Sequence, residues 1–160
     1  MGLFLSTFTN KVDSKGRVSV PATFRAALKQ QDFQGVILFR SYTDPCIEGC
    51  GMDYLERLSE GLESLPAFSS DLDEITQLVF ASSHQVPYDQ TGRIVLPREL
   101  MEHAGITEQA AFVGKARTFQ IWEPAAQQHK MAQLLERARQ APPSGPVLPP
   151  RGGKTGEASS

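Results

Sequence analysis

The sequence predicts a mixed α/β fold of the α+β class, made of two related halves. The main observation is a stretch that occurs twice, at an offset of 76 residues: Asp-Ser-Lys-Gly-Arg-Val-Ser-Val-Pro at 13–21 and Asp-Gln-Thr-Gly-Arg-Ile-Val-Leu-Pro at 89–97. Short apolar runs typical of strands flank both copies, and apolar residues at helical spacing fill the middle and the end of the chain. With 160 residues, 40% of them hydrophobic, the chain can form one good core or two small units that share one.

Each copy of the repeated stretch predicts a tight hairpin with charge at its tip. Asp13 and Asp89 stand where a carboxylate can accept hydrogen bonds from the backbone amides two and three residues later, so we expect both to brace a turn. Gly16 and Gly92 suit the left-handed position of a three-residue hairpin loop with a bulge.

The strand after each turn has two different faces. Arg17 and Ser19 point to one side and Val18 and Val20 to the other, because side chains alternate along a strand. One face therefore belongs to the core and the other can meet a partner. Pro21 marks the change from strand to helix, and the second copy repeats the pattern from Arg93 to Pro97.

The other elements follow from local pattern. In the first half we expect two hairpin strands, a short helix, a buried strand and the beginning of another strand that glycines break at 49 and 51; these are residues 8–12, 17–20, 21–31, 36–39 and 46–47. Leucines at helical spacing predict two helices, separated at Leu65-Pro66-Ala67, with Leu72, Ile75 and either Leu78 or Val79 lining the second helix.

The second half repeats the order of the first. We expect a strand pair around 90–92, a helix over 97–103 with Gly105 as a left-handed cap, strands at 111–113 and 119–122, and a last helix from Pro124 to about Gln140. That helix carries an apolar stripe, which needs a surface to cover: Met131, Leu134, Leu135 and Ala138. The Pro- and Gly-rich residues 141–160 read as a disordered tail.

Charge is distributed unevenly although the net charge is only −2. Positions 1–40 hold six basic and two acidic residues, whereas positions 53–80 hold one basic and seven acidic residues. This indicates a basic working surface and an acidic surface turned away from it, although the acidic part also fits an ordinary solvated helix face. The sequence has no transmembrane run, and two cysteines without a secretion signal point to a reducing cytosol.

Other kinds of site fit the sequence less well. Cys46 and Cys50 could supply two zinc ligands, but no second Cys or His pair supports them, so we expect no metal and no cofactor. Asp13 and Asp89 could pair as catalytic carboxylates, but their position before Gly-Arg favours the turn brace. The chain begins with a pattern compatible with myristoylation, although a plain first strand is the simpler interpretation.

Taken together, the twin Asp-x-x-x-Arg hairpins, the Gly-Arg-Val-Ser-Val-Pro run, the Phe-Gln-Ile-Trp strand at 119–122 and the helical insert closely resemble the MraZ family of the AbrB-like superfamily. The resemblance covers residues 3–140. It implies two swapped-hairpin repeats, at about 7–50 and 83–126, that form a small β-barrel within one chain, with peripheral helices. The insert at 52–80 and a C-terminal helix at 125–140 would complete a single domain over 1–140.

The resemblance also implies a function. It suggests a cytoplasmic, nucleoid-associated regulator, most simply a repressor, of the bacterial division and cell-wall gene cluster, which binds tandem short repeats in its own promoter and is not an enzyme. The expected partners are double-stranded DNA and further copies of the chain in a ring, with no membrane. The expected DNA-binding residues are Lys11, Ser14, Lys15, Arg17 and Arg93.

Three points stay open at the level of sequence. Arg17 and Arg93 could serve only as ion-pair partners of Asp13 and Asp89, a role that is compatible with DNA contact. Thr91 stands where the first copy has Lys15, so the two hairpins are not expected to bind phosphate equally. The alternative function is a non-DNA interaction module or an antitoxin-like scaffold on the same fold.

Overall fold

A computed structural model describes residues 2–145 of the chain, and the part of the predicted tail at 146–160 lies outside this range. The chain divides into two units, and the division falls between Gln128 and His129. The described residues form the following elements: β1 (Thr7–Lys11), β2 (Arg17–Ser19), α1 (Ala22–Ala27), β3 (Gly35–Arg40), β4 (Ile47–Cys50), α2 (Met52–Leu62), α3 (Ser70–Ile75) with a π-helical continuation (Thr76–Phe80), β5 (His84–Pro87), β6 (Arg93–Val95), α4 (Arg98–Ala104), β7 (Gln109–Lys115), β8 (Thr118–Trp122) and α5 (Pro124–Gln140). The fold is therefore mixed α/β, as predicted.

The strands form one six-stranded antiparallel sheet, in the order β1-β7-β8-β4-β3-β5, and a separate two-stranded ribbon of β2 and β6. If each of β1 to β4 is exchanged with its counterpart in β5 to β8, the six-stranded order stays the same but is read in the opposite direction. The ribbon has the same symmetry, because Val18 and Ile94 are equivalent positions of the two copies and lie opposite each other. The pairing thus has a pseudo-two-fold symmetry that relates the two copies of the repeated stretch.

The two strands of each hairpin separate soon after the turn. β1 and β2 meet at a single bridge, Val12 with Val18, after which β1 pairs with β7 and β2 pairs with β6. The predicted hairpin pairing is therefore limited to the turn itself. A two-stranded hairpin alone is marginally stable in water, and pairing with the other repeat places each strand in a larger structure.

The six-stranded sheet is open in its strand order, with β1 and β5 at its two edges. Strand pairing within residues 2–145 does not close it into a barrel. The small β-barrel implied by the family resemblance is therefore not seen in the strand pairing and stays a prediction.

One core lies between the inner face of the sheet, the ribbon and the helices α1 and α4. Val18, Ile94, Phe24 and Leu100 are each no more than 1% exposed. Aromatic rings from both repeats fill its centre at centroid distances of 5.1 to 6.3 Å; these are Phe4, Phe24, Phe112 and Phe119. Because both repeats supply the same core, neither has a complete core of its own.

Strand β4 corrects one expectation about glycine. Gly49 does not break the strand but lies inside it, opposite Phe119 of β8. A Cβ atom at Gly49 would come within 2.4 Å of the Phe119 ring. Glycine is needed here because the aromatic ring lies directly over the backbone, which is one of the recognised reasons for glycine within a strand.

The helical insert packs on the outer face of β3 and β4. Ile37, Cys50 and Leu55 form this second cluster together with Val79, which is 5% exposed, whereas Leu78 is 43% exposed. The structure thus assigns Val79 to the buried position that the sequence left open. Ser69 caps α3 by accepting a hydrogen bond from the Leu72 amide at 3.2 Å.

The helix ends agree with the sequence in the second repeat and differ in the first. Gly105 ends α4 with φ of +67°, as predicted for a left-handed cap. α1 ends at Ala27 rather than near Gln31.

The stripe on α5 is exposed: Met131, Leu134 and Leu135 keep 41 to 51% of their surface accessible. No helix in the described part of the chain is long and apolar enough to cross a membrane.

A polar contact marks the pseudo-two-fold axis within the sheet. Glu48 of β4 lies opposite Gln120 of β8, and the Gln120 amide donates to the Glu48 carboxylate at 3.0 Å. The indole of Trp122 donates to the Gln120 carbonyl at 2.8 Å, which fixes the orientation of an amide that is 6% exposed. The two equivalent positions thus hold complementary groups.

We expect Gln120→Glu to destabilise the fold by about 1–3 kcal/mol at pH 7, because it places a second carboxylate beside Glu48 in a largely buried site. Glu48→Gln is the matched control, since it keeps an acceptor oxygen for the Gln120 amide. Urea unfolding at pH 7 and pH 4 measures both. The deficit of the Gln120→Glu variant should shrink on acidification, when one carboxylate takes up a proton. Equal stability of all three proteins at pH 7 would contradict the assigned contact.

Candidate nucleic-acid interface

The first hairpin tip is held by one carboxylate. Oδ1 of Asp13 accepts hydrogen bonds from the backbone amides of Lys15 and Arg17, both at 2.9 Å, and Oδ2 accepts from Nε of Arg17 at 2.7 Å. The Gly16 amide closes the turn by donating to the Asp13 carbonyl at 3.0 Å, with Gly16 at φ of +83°. The sequence folds this way because the glycine accepts the left-handed backbone and the aspartate satisfies the turn amides.

The second tip reproduces this geometry. Oδ1 of Asp89 accepts from the backbone amides of Thr91 at 2.8 Å and Arg93 at 3.0 Å, and Oδ2 accepts from Nε of Arg93 at 2.9 Å. Gly92 has φ of +82°, and the Thr91 hydroxyl adds a bond to Oδ1 at 2.8 Å. The threonine therefore contributes to the brace at the position where the first tip has a lysine.

Both carboxylates are held ionised by these contacts. The pKa of Asp13 and that of Asp89 lie below the ordinary value, first because the backbone amide of the following arginine donates to each carboxylate. A catalytic pair that shares one proton would need the pKa of one acid to be raised. The two aspartates are therefore poorly suited to acid–base catalysis and well suited to holding the arginines.

The two arginines lie on one face of the ribbon. Arg17 is opposite Val95 and Arg93 is opposite Ser19, while the neighbouring Val18 and Ile94 are buried. Arg17 and Arg93 are thus diagonal neighbours, roughly 7–8 Å apart at their backbones as such positions are in antiparallel strands. Each arginine uses Nε for its aspartate, and neither ion pair requires the Nη groups.

The other predicted DNA-binding residues lie at or near the first tip. Ser14 and Lys15 are exposed in the turn itself. Lys11 is exposed at the end of β1, which belongs to the six-stranded sheet and not to the ribbon. The structure therefore places Arg17 and Arg93 together on the ribbon, puts Ser14 and Lys15 at one end of it, and sets Lys11 on a different strand.

Arg25 is a residue that sequence reasoning missed. It lies on α1 of the first repeat, and its Nε donates to the Val20 carbonyl at 3.1 Å. Its guanidinium covers Gly92 of the second tip, where a Cβ atom would lie 2.7 Å from the guanidinium carbon. The equivalent position in the second repeat is Met101, whose sulfur would be 3.6 Å from a Cβ at Gly16.

A signal for Arg25 exists in the sequence but needs the fold to be recognised. The 76-residue offset pairs Arg25 with Met101, so that a charged residue in one repeat corresponds to an apolar residue in the other. Only the interleaved strand pairing shows that α1 of one repeat lies beside the hairpin tip of the other. The second tip, which lacks a lysine, thus has an arginine supplied by the first repeat.

Comparison with known proteins places this chain in a family. Residues 79–144 match the family model described as "MraZ protein, putative antitoxin-like". Three proteins named "Transcriptional regulator MraZ" are similar over 78% of this chain and 83% of their own length: those of Rickettsia canadensis (strain McKiel) at 47% identity, Rickettsia akari (strain Hartford) at 46% and Rickettsia bellii (strain OSU 85-389) at 45%. The chain belongs to the MraZ family. This is a family of transcriptional regulators and not of enzymes.

The two cysteines of this MraZ protein have the character of core residues. Cys46 packs with Ala111 and Trp122, whereas Cys50 packs with Ile37 in a different cluster. Burial raises the pKa of each thiol to about 12. Neutral thiols in separate apolar clusters are poor metal ligands. Within the described residues, no group of three or more His, Cys, Asp or Glu side chains is placed to hold a metal ion.

We expect Asp13→Asn and Asp89→Asn to loosen their hairpins at pH 7, because the amide cannot form the ion pair. Faster exchange of the Arg17 or Arg93 backbone amide, followed by NMR, and a lower urea midpoint measure the effect. A carboxylate with a lowered pKa stabilises the fold fully above about pH 3.9, its unfolded value, and this stabilisation is lost as the pH falls through the folded pKa.

The wild-type midpoint should accordingly fall on acidification from pH 5 to pH 2, while the midpoint of the double Asn variant should change less. Asp32→Asn, at an exposed position between α1 and β3, is the control and should leave both amides unchanged. Unaltered exchange in the Asp13→Asn and Asp89→Asn variants would contradict the bracing role.

Proposed function

We propose that this MraZ protein regulates transcription by binding DNA sequence-specifically through the β2–β6 ribbon. The observation that supports this most directly is the pair of arginines, each fixed by an aspartate from its own turn and both on the outward face of the ribbon. Side chains held in one orientation lose less entropy on binding than mobile ones do. The ion pairs therefore prepare the arginines for a partner, and the structural role and the DNA-binding role are compatible.

The dimensions of the ribbon suit the major groove of B-DNA. That groove admits a two-stranded ribbon, and arginine is the residue that most often contacts guanine there, through O6 and N7. Diagonal positions about 7–8 Å apart correspond to roughly two base steps of 3.4 Å. Arg17 and Arg93 are thus spaced to reach two bases within one short box.

Phosphate contacts would come from the tips. Lys15 and Ser14 extend from the first turn, and Lys11 lies near its base. Arg25 supplies a guanidinium beside the second turn, which has Thr91 in place of a lysine. Such contacts give affinity without sequence preference and position the ribbon on the duplex.

The wider proposal follows the family. The protein would be a cytoplasmic, nucleoid-associated repressor of the bacterial division and cell-wall gene cluster, acting at tandem short repeats in its own promoter. Its two interleaved repeats would be the swapped hairpins of the AbrB-like barrel. The symmetry of the strand order supports this assignment.

Assembly of several copies would supply the affinity that one ribbon lacks. A single ribbon reaches few phosphates, whereas a ring that engages several boxes makes later contacts intramolecular, which can raise avidity about a hundredfold or more. The exposed stripe of Met131, Leu134 and Leu135 on α5 is our candidate for the subunit interface. Exposed apolar patches of this kind are typical of interaction surfaces.

We expect Arg17→Ala and Arg93→Ala each to weaken binding to the DNA upstream of the coding sequence by roughly 5- to 150-fold, because a bidentate arginine contact contributes about 1–3 kcal/mol. Fluorescence anisotropy across a salt series measures this. Lys15→Ala should weaken all sequences alike and reduce the salt slope by about one unit. Arg40→Ala, at an exposed end of β3 outside the ribbon, is the control.

The alternative is the interaction module, which the words "antitoxin-like" in the family description favour. Under it, wild-type protein would show no salt-dependent DNA affinity. If Arg17→Ala folds normally and binds DNA as tightly as wild type, the ribbon is not the DNA-binding element.

The assembly leads to a separate expectation. Light scattering should find a ring-sized particle for wild type and single chains for Leu134→Glu with Leu135→Glu, because charges on the stripe oppose its burial. The variant should bind one box as wild type does but lose the steep gain from additional boxes. Gln133→Glu, at an exposed position on the opposite side of α5, serves as the control. A stable monomer that binds one box as tightly as three would rule out this mechanism.

A further inference from the structure

The outward face of the ribbon departs from the pseudo-two-fold symmetry at one pair of positions. Arg17 and Arg93 occupy equivalent sites and are held alike, but Ser19 and Val95, which are also equivalent, differ in chemistry. Val95, the last residue of β6, is 54% exposed, and the other three residues of this face are polar. The hydroxyl of Ser19 stands beside one arginine, and the two methyl groups of Val95 stand beside the other.

Pairing fixes which arginine has the apolar neighbour. Val95 lies directly opposite Arg17, and side chains directly opposite each other in antiparallel strands have Cβ atoms about 4.5–5.5 Å apart. A base contacted by Arg17 would therefore have a neighbouring base within reach of Val95. Ser19 stands in the same relation to Arg93 and can offer a hydrogen bond but no methyl contact.

The major groove contains one apolar group that such a residue can recognise. Thymine presents its C5-methyl group there, and apolar side chains contact it, whereas cytosine has only a hydrogen atom at C5 and the purines present donors and acceptors. A valine that is exposed in the free protein gains by burying its methyl groups against this one. The arrangement is thus suited to a guanine next to a thymine on the Arg17 side.

We propose that Val95 determines specificity by contacting the C5-methyl group of a thymine beside the base that Arg17 contacts, and that Ser19 makes no such contact on the Arg93 side. The proposal rests on the DNA-binding function proposed above. As a consequence, the protein would bind its DNA site in one orientation only. A DNA-binding surface with true two-fold symmetry favours a palindromic site. This ribbon would instead favour a site whose two ends differ in sequence.

Replacing thymine by uracil removes the C5-methyl group and nothing else, so it tests the contact without knowledge of the box. The DNA upstream of the coding sequence is amplified once with dTTP and once with dUTP. Anisotropy at fixed salt then compares full-length wild type, Val95→Ser and Ser19→Val on both fragments. Serine is the matched replacement at 95 because the equivalent position carries it.

We expect wild type to bind the uracil fragment about three- to fivefold more weakly, the size expected for one buried methyl group. Val95→Ser should bind both fragments equally, and Ser19→Val should be more sensitive to uracil than wild type. Both residues are exposed, and thermal unfolding checks that the variants fold. Val95→Thr keeps one methyl group and should give an intermediate ratio, which provides a second variant if serine disturbs the ribbon.

Two outcomes overturn this inference while leaving the proposed function in place. One is equal binding of wild type to both fragments. The other is a uracil effect that persists undiminished in Val95→Ser, since the methyl groups would then act through another residue or through DNA shape. Wild type that shows no salt-dependent affinity for the thymine fragment overturns the proposed function and this inference with it.

Discussion

The pairing of β2 with β6 is the contact on which the rest of the structure depends. Each repeat contributes one strand to the ribbon and buries one residue beneath it, Val18 from the first and Ile94 from the second. The same pairing brings the two hairpin tips to opposite ends of one surface. Because the ribbon and the core both need strands from each repeat, folding and formation of the candidate site are one event. A mutation that separates the repeats therefore removes the site as well as the stability.

The two aspartates fix the orientation of the arginines on the outward face of the ribbon. Asp13 and Asp89 satisfy the turn amides and, with the same carboxylates, hold Arg17 and Arg93. An exposed ion pair contributes little to stability by itself. Its value here lies in orientation, because a guanidinium fixed through Nε keeps a constant direction relative to the strand. In each repeat, one aspartate thus stabilises the turn and also orients the arginine of the candidate site.

Local chemistry explains what could be predicted from the sequence. The turns, the arginine face and the cap at Gly105 depend on neighbours along the chain, and so they are readable without the fold. The partner of each strand is set by the other repeat, which is why the divergence of β1 from β2 and the position of Arg25 over Gly92 were not foreseen. Gly49 was misjudged for the same reason: the ring that requires it, Phe119, is distant in sequence.

The contact between Glu48 and Gln120 has a consequence for how the two halves of the chain can differ. At a two-fold axis between identical subunits, a residue meets its own copy, so an acid must face an acid. Two halves within one polypeptide are free of that restriction, and here an acid faces an amide that Trp122 orients. At this position each half is therefore complementary to the other half rather than to a copy of itself. Because the halves are covalently linked, equivalent positions can carry different residues, as Ser19 and Val95 do on the ribbon.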